Sequence, residues 1–204
     1  MTPLHELQPA AEAHWKKADR VMHRLSKAHP LPREQAIPGD DGFAALVGSI
    51  THQQVSLAAG RSIHAKLLKT LGGKATPRRV LNRSEEELRG AGLSRAKAAY
   101  VLDLAGKTQR GEVEFARFPA MEDEAIIAEL TAVKGIGTWT AKMFVLFHLQ
   151  RPDVFAPEDL GLRIAAAQAY GVAPEKAAAL MERMRPLWSP YNSVAARVLW
   201  QSRR

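Results

Sequence analysis

Apolar residues recur along most of this chain at the three- and four-residue spacing of helices with one buried face. Phe43, Leu46, Val47 and Ile50 fall at i, i+3, i+4 and i+7 behind Asp40 and Asp41, which can cap the start. Ser56 can open a second helix carrying Ile63, Leu67 and Leu71, and Ser94 another containing Val101 and Leu104. Between them, Ser84 followed by Glu87 has the form of a capping box. Ile126, Ile127, Leu130 and Val133 mark a helix that runs into a glycine-bearing turn, and the helical pattern resumes over Lys142–Leu149. Pro174 suits the first turn of a helix whose apolar face is Ala177, Leu180, Met181 and Met184, and Asn192 or Ser193 can cap the last helix. The nearest approach to strand alternation is Glu112–Phe115, so the fold class expected is all-α. Residues His29–Gly42 hold three prolines and two glycines and read as a connector between lobes.

Composition narrows the picture. With 204 residues, 46% of them hydrophobic and 25% charged, the chain is long enough to bury a substantial core. Lys plus Arg number 29 against 21 Asp plus Glu, a net charge of +8 that favours a polyanionic partner. The absence of cysteine excludes disulfides, cysteine-ligated zinc, an iron–sulfur cluster and a cysteine nucleophile. The seven histidines show no HExxH or comparable spacing, which gives a histidine-based metal site little support. The first residues lack the apolar core of a signal peptide, and Met143–Leu149 is far too short to span a bilayer. A soluble, cytoplasmic chain with no membrane partner is expected, gathered at the nucleoid in a bacterium or in the nucleus of a eukaryote.

The chemistry centres on Val133-Lys134-Gly135-Ile136-Gly137-Thr138-Trp139-Thr140. A dinucleotide fingerprint needs a third glycine where Thr140 stands and a strand before the turn, and no P-loop spacing is present. A helix, a Lys-Gly-Ile-Gly turn and a second helix instead make a helix-hairpin-helix. Its glycines permit φ > 0 and let a phosphodiester approach the backbone, and the free N–H groups opening the second helix face that phosphate. Ile136 would plug the gap between the helices. Lys134, Gly135, Ile136, Gly137, Thr138 and Thr140 are therefore the expected DNA contacts, which position the duplex without reading its sequence. The competing reading is an αα-hairpin whose glycines merely end one helix and start the next.

A second constellation, Arg151-Pro-Asp-Val-Phe-Ala-Pro-Glu-Asp159-Leu-Gly-Leu-Arg, places Asp159 22 residues beyond Gly137. LTAVKGIGTWTAKMFVLF followed by RPDVFAPEDLGLR resembles the helix-hairpin-helix (HhH-GPD) DNA glycosylases of the alkylpurine, 3-methyladenine glycosylase II type. LVGSITHQQVSLAAG and GLSRAKAAYVLDLA match the same family upstream, so the resemblance runs from about Phe43 to Trp200. It implies a single domain over 1–204 built of two helical lobes with the active-site cleft between them. Lobe A would take roughly 43–148, including the hairpin at 126–149, and lobe B roughly 1–36 with 159–204.

The resemblance also implies roles. Asp159 matches the aspartate essential for excision; without the family, an acidic first helical turn would be the simpler reading. A fixed carboxylate can stabilise an oxocarbenium-like sugar and orient or deprotonate a water. Trp139 stands where bifunctional relatives carry a Schiff-base lysine, so water is the expected nucleophile and no lyase step is expected. Trp139, with Met143 and Trp200, would form a base pocket, an aromatic face stacking on a cationic base for about 0.5–2 kcal/mol; the alternative is that Trp139 packs in the core. Gln54, flanked by Gln53 and Val55, matches the wedge that fills the hole left by an extruded base, or else is a polar turn residue. The backbone carbonyls of Thr131, Val133 and Ile136 match positions that hold a monovalent sodium or potassium ion; no other cofactor is expected.

Met143 and Arg197 depart from the family's pocket tyrosine and tryptophan, which leaves the substrate range open. The partner expected is duplex DNA containing alkylated bases, bound by a monomer that leaves an abasic site. Two other functions fit parts of the sequence: a glycosylase/lyase using Lys134 or Lys142, and a non-catalytic hairpin module that binds distorted duplex.

Overall fold

The computed structural model describes residues 2–33 and 42–203. Among them twelve α-helices follow one another: α1 (Leu4–Ala18), α2 (Arg20–Ala28), α3 (Gly42–His52), α4 (Leu57–Thr70), α5 (Pro77–Leu81), α6 (Glu85–Gly90), α7 (Arg95–Gln109), α8 (Asp123–Thr131), α9 (Thr138–Met143), α10 (Leu160–Tyr170), α11 (Ala177–Trp188) and α12 (Asn192–Gln201). No strand occurs among the described residues, and the fold is all-α. The chain divides into two compact units, one of Met1–Pro38 with Val145–Arg204 and one of Gly39–Phe144. The division falls between Phe144 and Val145, inside the segment that the sequence pattern kept with the hairpin. A turn of π-helix, Phe144–His148, occupies that place instead of a continued α9.

In the unit Gly39–Phe144 the helix starts follow the capping chemistry of the sequence. The Ser56 hydroxyl accepts the Ala59 N–H at 3.3 Å and the Ser94 hydroxyl the Lys97 N–H at 3.2 Å. At Ser84 both halves of the capping box form, with bonds of 3.1 and 2.8 Å. Phe43, Leu46, Val47 and Ile50 are buried along α3, as are Leu67 on α4, Val101 and Leu104 on α7, and Ile126 and Leu130 on α8. Each such side chain contributes about 1.5–3 kcal/mol on burial. Asp40 and Asp41, expected to cap α3, and most of the expected connector lie outside the described residues. Glu112–Phe115 is not a strand: its residues turn into a 3₁₀-helix, Phe115–Ala120, where Phe115 and Phe118 pack edge to face at 5.2 Å. Apolar alternation there reflects one aromatic cluster, not a sheet.

The other unit is organised around a buried carboxylate. Asp19 begins α2, its Oδ1 accepting the Val21 and Met22 N–H groups at 3.0 and 3.1 Å. Its Oδ2 accepts the Trp188 indole N–H at 3.0 Å and the Tyr170 hydroxyl. Burial, together with this carboxylate, keeps the Tyr170 hydroxyl protonated well above the usual phenol range. Leu4, Trp15, Met22, Trp188 and Leu199 are buried in the same unit.

Two helix starts here differ from the sequence pattern. Pro174 opens a 3₁₀ turn, Pro174–Lys176, before α11 begins at Ala177. Neither Asn192 nor Ser193 caps α12 with its side chain. Both are committed elsewhere, Ser193 Oγ accepting the Val154 N–H at 2.9 Å and Asn192 Nδ2 donating to Asp153 at 2.6 Å, so they fasten the 153–154 segment instead.

Candidate functional site

The glycine turn between α8 and α9 uses its two glycines differently. Gly135 adopts φ +78°, and a Cβ there would lie 2.1 Å from Cδ2 of Tyr100, whose ring covers the backbone. Gly137 is extended at φ −88°, ψ 172°, and starts α9; a Cβ there would meet nothing within 4 Å. Only Gly135 therefore needs the left-handed conformation, while Gly137 leaves the backbone open to approach. Ile136 is buried as the plug, its N–H donating to the Val133 carbonyl at 3.1 Å. Lys134 and Thr138 are exposed, Thr140 is buried and Thr131 is half-buried. The Lys134 N–H donates to Asp103 Oδ2 on α7 at 2.9 Å, which ties the turn to that helix.

The loop after α3 stands on the same helix. Gln54 is exposed and adopts φ +53°, a conformation rare for a residue with a side chain. Gln53 Nε2 donates to the Gly135 carbonyl at 2.9 Å, joining the loop to the hairpin. The Lys97 ammonium donates to the carbonyls of Thr51 and Gln53 at 2.8 and 2.6 Å. Burial pulls its pKa below the ordinary lysine value. Val55 and Leu57, just beyond, are 39% and 64% exposed.

A cavity of about 660 Å³ opens on this side of the unit; Gln53, Gln54, Lys97, Tyr100, Trp139 and Met143 are among its walls. Trp139 is 47% exposed, so it is no core residue. The structure thus gathers the hairpin, two of the three expected wedge residues and two of the three expected pocket residues on one face. Val55 does not line the cavity.

Trp200, the third pocket residue, belongs to the other unit with Asp159. Asp159 starts α10, its Oδ1 accepting the Leu162 N–H at 2.7 Å and the Trp200 Nε1–H at 3.1 Å. The indole of Trp200 stacks on Phe147 with centroids 5.4 Å apart and an interplanar angle of 23°, and the Arg197 guanidinium lies 5.4 Å from the centroid of the same Phe147 ring. Gly161 has no room for a side chain: a Cβ would sit 3.0 Å from Asp159 Oδ1 and 3.3 Å from Trp200 Nε1. Beside the carboxylate, Leu160 is 69% exposed.

Sequence reasoning missed Lys97, Tyr100, Asp103, Phe147 and Gly161. The first three sit at i, i+3 and i+6 of α7, a polar stripe beside the apolar face that carries Val101 and Leu104. That spacing was readable; its targets, in loops distant along the chain, were not. Among the described residues no group of three or more His, Asp or Glu side chains is placed to hold a metal ion, and no helix is long and apolar enough to cross a membrane.

Residues 47–190 match the model of the HhH-GPD superfamily base excision DNA repair protein. The DNA-3-methyladenine glycosylase of Saccharomyces cerevisiae is 30% identical, the match covering 83% of this chain and 70% of that protein. The Bacillus subtilis protein YfjP is 28% identical over 78% of this chain, which spans only 58% of that relative's length. Among solved structures, a DNA-3-methyladenine glycosidase from Bacillus halodurans superposes with a TM-score of 0.81 at 31% identity, covering 93% of this chain and 88% of the other. A Schizosaccharomyces pombe 3-methyladenine DNA glycosylase in complex with abasic DNA shares the fold, with a TM-score of 0.80 at 24% identity over 95% and 96% of the two chains. The protein with this hairpin and this held aspartate belongs to the HhH-GPD superfamily of base excision DNA repair proteins.

Proposed function

We propose that this base excision repair protein is a monofunctional DNA-3-methyladenine glycosylase, which extrudes an alkylated purine from duplex DNA and hydrolyses its N-glycosidic bond. The observation that carries the reading is the doubly held Asp159 carboxylate, one oxygen fixed by the Leu162 N–H and the Trp200 indole. A carboxylate oriented before the reaction stabilises the positive charge that grows on the sugar and orients or deprotonates the incoming water. Glycoside hydrolases usually add an acid that protonates the leaving group. A 3-methyladenine or 7-methylguanine base is already cationic and leaves readily, so one carboxylate suffices. The place of Trp139, half exposed in the cavity wall, supports an aromatic contact with such a base.

In this reading the hairpin positions the duplex through its backbone at Gly135 and Gly137, with Lys134, Ile136, Thr138 and Thr140 around it, and Gln54 enters the base stack. The carbonyls of Thr131, Val133 and Ile136 are neutral hard oxygens suited to a sodium or potassium ion. That of Val133 already accepts one N–H, from Ile136, and keeps a second lone pair. Such an ion would add positive charge beside the DNA backbone. The protein works as a monomer.

Incubation of alkylated DNA with wild type releases 3-methyladenine or 7-methylguanine, whereas Asp159→Asn, which keeps an oxygen for both donors, releases neither. Full activity in that variant removes Asp159 from the mechanism. Borohydride added during turnover traps no covalent protein–DNA adduct, since Trp139 stands where a Schiff-base lysine would be needed; a trapped adduct turns the reading toward a lyase.

A further inference from the structure

Lys97 differs from an ordinary surface lysine in what its ammonium holds. It reaches from α7 to the end of α3, where the last carbonyls of a helix lack intrahelical partners, and takes that of Thr51 together with that of Gln53 just past the helix. Its own backbone is fixed at the start of α7, where its N–H bonds the Ser94 hydroxyl. The residue that follows the second carbonyl is Gln54, at φ +53°. On the hairpin side, the Gln53 side chain is bound to the Gly135 carbonyl. The backbone before Gln54 is thus gripped from α7 and from the hairpin, while Gln54 itself stands exposed. A left-handed residue persists where its surroundings over-determine it, and Lys97 is the charged member of those surroundings.

We infer that Lys97 is the positioning residue of the Gln54 loop: by holding the Thr51 and Gln53 carbonyls it presents Gln54 to the base stack. It therefore governs base extrusion and not cleavage of the glycosidic bond. The inference rests on the glycosylase reading above and adds to it a residue that acts through the loop it holds. A purely structural lysine, closing the end of α3, would affect every substrate alike.

The test compares wild type, Lys97→Met and Lys97→Arg on a duplex carrying one 7-methylguanine opposite cytosine, and on the same lesion inside an unpaired bubble that needs no wedge. Base release is followed under single-turnover conditions, and a 2-aminopurine next to the lesion reports unstacking on binding. Lys97→Met, which loses both charge-assisted hydrogen bonds, should release base more slowly from the paired duplex, by about tenfold or more. Its loss on the bubble should be much smaller, and its 2-aminopurine signal weaker. Lys97→Arg, which keeps charge and donors, should recover most of both and covers the case in which the methionine variant folds poorly. Equal losses on the two substrates, or a wild-type unstacking signal in Lys97→Met, overturn the inference, as does a wild type that gives no unstacking signal. If wild type unstacks the duplex but releases no base from either substrate, and Lys97→Met fails to unstack, the inference stands and the glycosylase reading falls.

Discussion

Trp200 donates its indole N–H to Asp159 at 3.1 Å, on the same oxygen that accepts the first-turn N–H of α10. The start of a helix and the orientation of a candidate catalytic group therefore depend on one atom. Trp200→Phe keeps an aromatic ring to stack on Phe147, though a smaller one, and removes the donor. Hydrogen bonds to charged groups contribute about 1.5–3 kcal/mol, so single-turnover base release should fall by about tenfold or more. The fold, followed by circular dichroism, should persist. An unchanged rate would reduce Trp200 to a packing role.

The two hairpin glycines should separate under the same substitution. Gly135→Ala places a Cβ at φ +78° and 2.1 Å from the Tyr100 ring. The left-handed conformation alone costs about 1–2 kcal/mol, and the clash adds to it, so thermal stability should drop. Gly137→Ala, at φ −88° with open space around the new methyl, should melt like wild type. Weaker DNA binding by Gly137→Ala, measured across a salt series, would locate the close approach of a phosphodiester at that backbone. Unaltered binding would place the approach elsewhere.

Asp19→Ala should be among the most destabilising single changes in its unit. It removes a helix cap, about 0.5–2 kcal/mol, and leaves the Tyr170 hydroxyl without its acceptor, about 1–3 kcal/mol. The buried Trp188 indole N–H keeps only the longer bond to the Tyr170 oxygen at 3.3 Å. Urea denaturation should show a loss on the order of 3 kcal/mol or more. A loss below about 1 kcal/mol would mean that the network relaxes onto other acceptors.

His64 gives the stability an acid-sensitive component. Burial first, and the neighbouring His52 second, lower its pKa from the ordinary 6.5, and its Nδ1 has no hydrogen-bond partner among the described residues. Below that ordinary value the unfolded chain binds the proton that the folded chain refuses. Stability contributed at neutral pH is therefore lost as pH falls through the ordinary value toward the lowered one. His64→Gln should flatten the fall in melting temperature between about pH 7.5 and pH 5. A slope identical to wild type would assign the acid sensitivity to other groups.

Local chemistry was legible in the sequence wherever cause and effect lie within one turn of helix. The hydroxyls of Ser56, Ser84 and Ser94 cap the helices they precede, and Ile136 is buried between its glycines, because those outcomes need only residues three or four apart. The resemblance that singled out Asp159 also rests on a contiguous motif. Long-range partners were another matter. Asn192 and Ser193 look like caps in sequence but hold the 153–154 segment. Gly161 looks like an ordinary helix residue until Asp159 and Trp200 converge on its missing side chain. Lys97 reads as a solvated lysine until the loop folds over it.

Lys97, Tyr100 and Asp103 lie on one stripe of α7 because they are three residues apart; Lys97 fastens the end of α3, while Tyr100 and Asp103 meet the hairpin at Gly135 and Lys134. An α-helix turns about 100° per residue. One residue inserted or deleted between Lys97 and Asp103 would swing part of that stripe to another side of the helix. The Gln54 loop and the hairpin would then lose their common reference. Helix α7 thus acts as a ruler whose length in residues is fixed by the two segments it spaces. A single-residue change in its length would therefore disturb both segments at once.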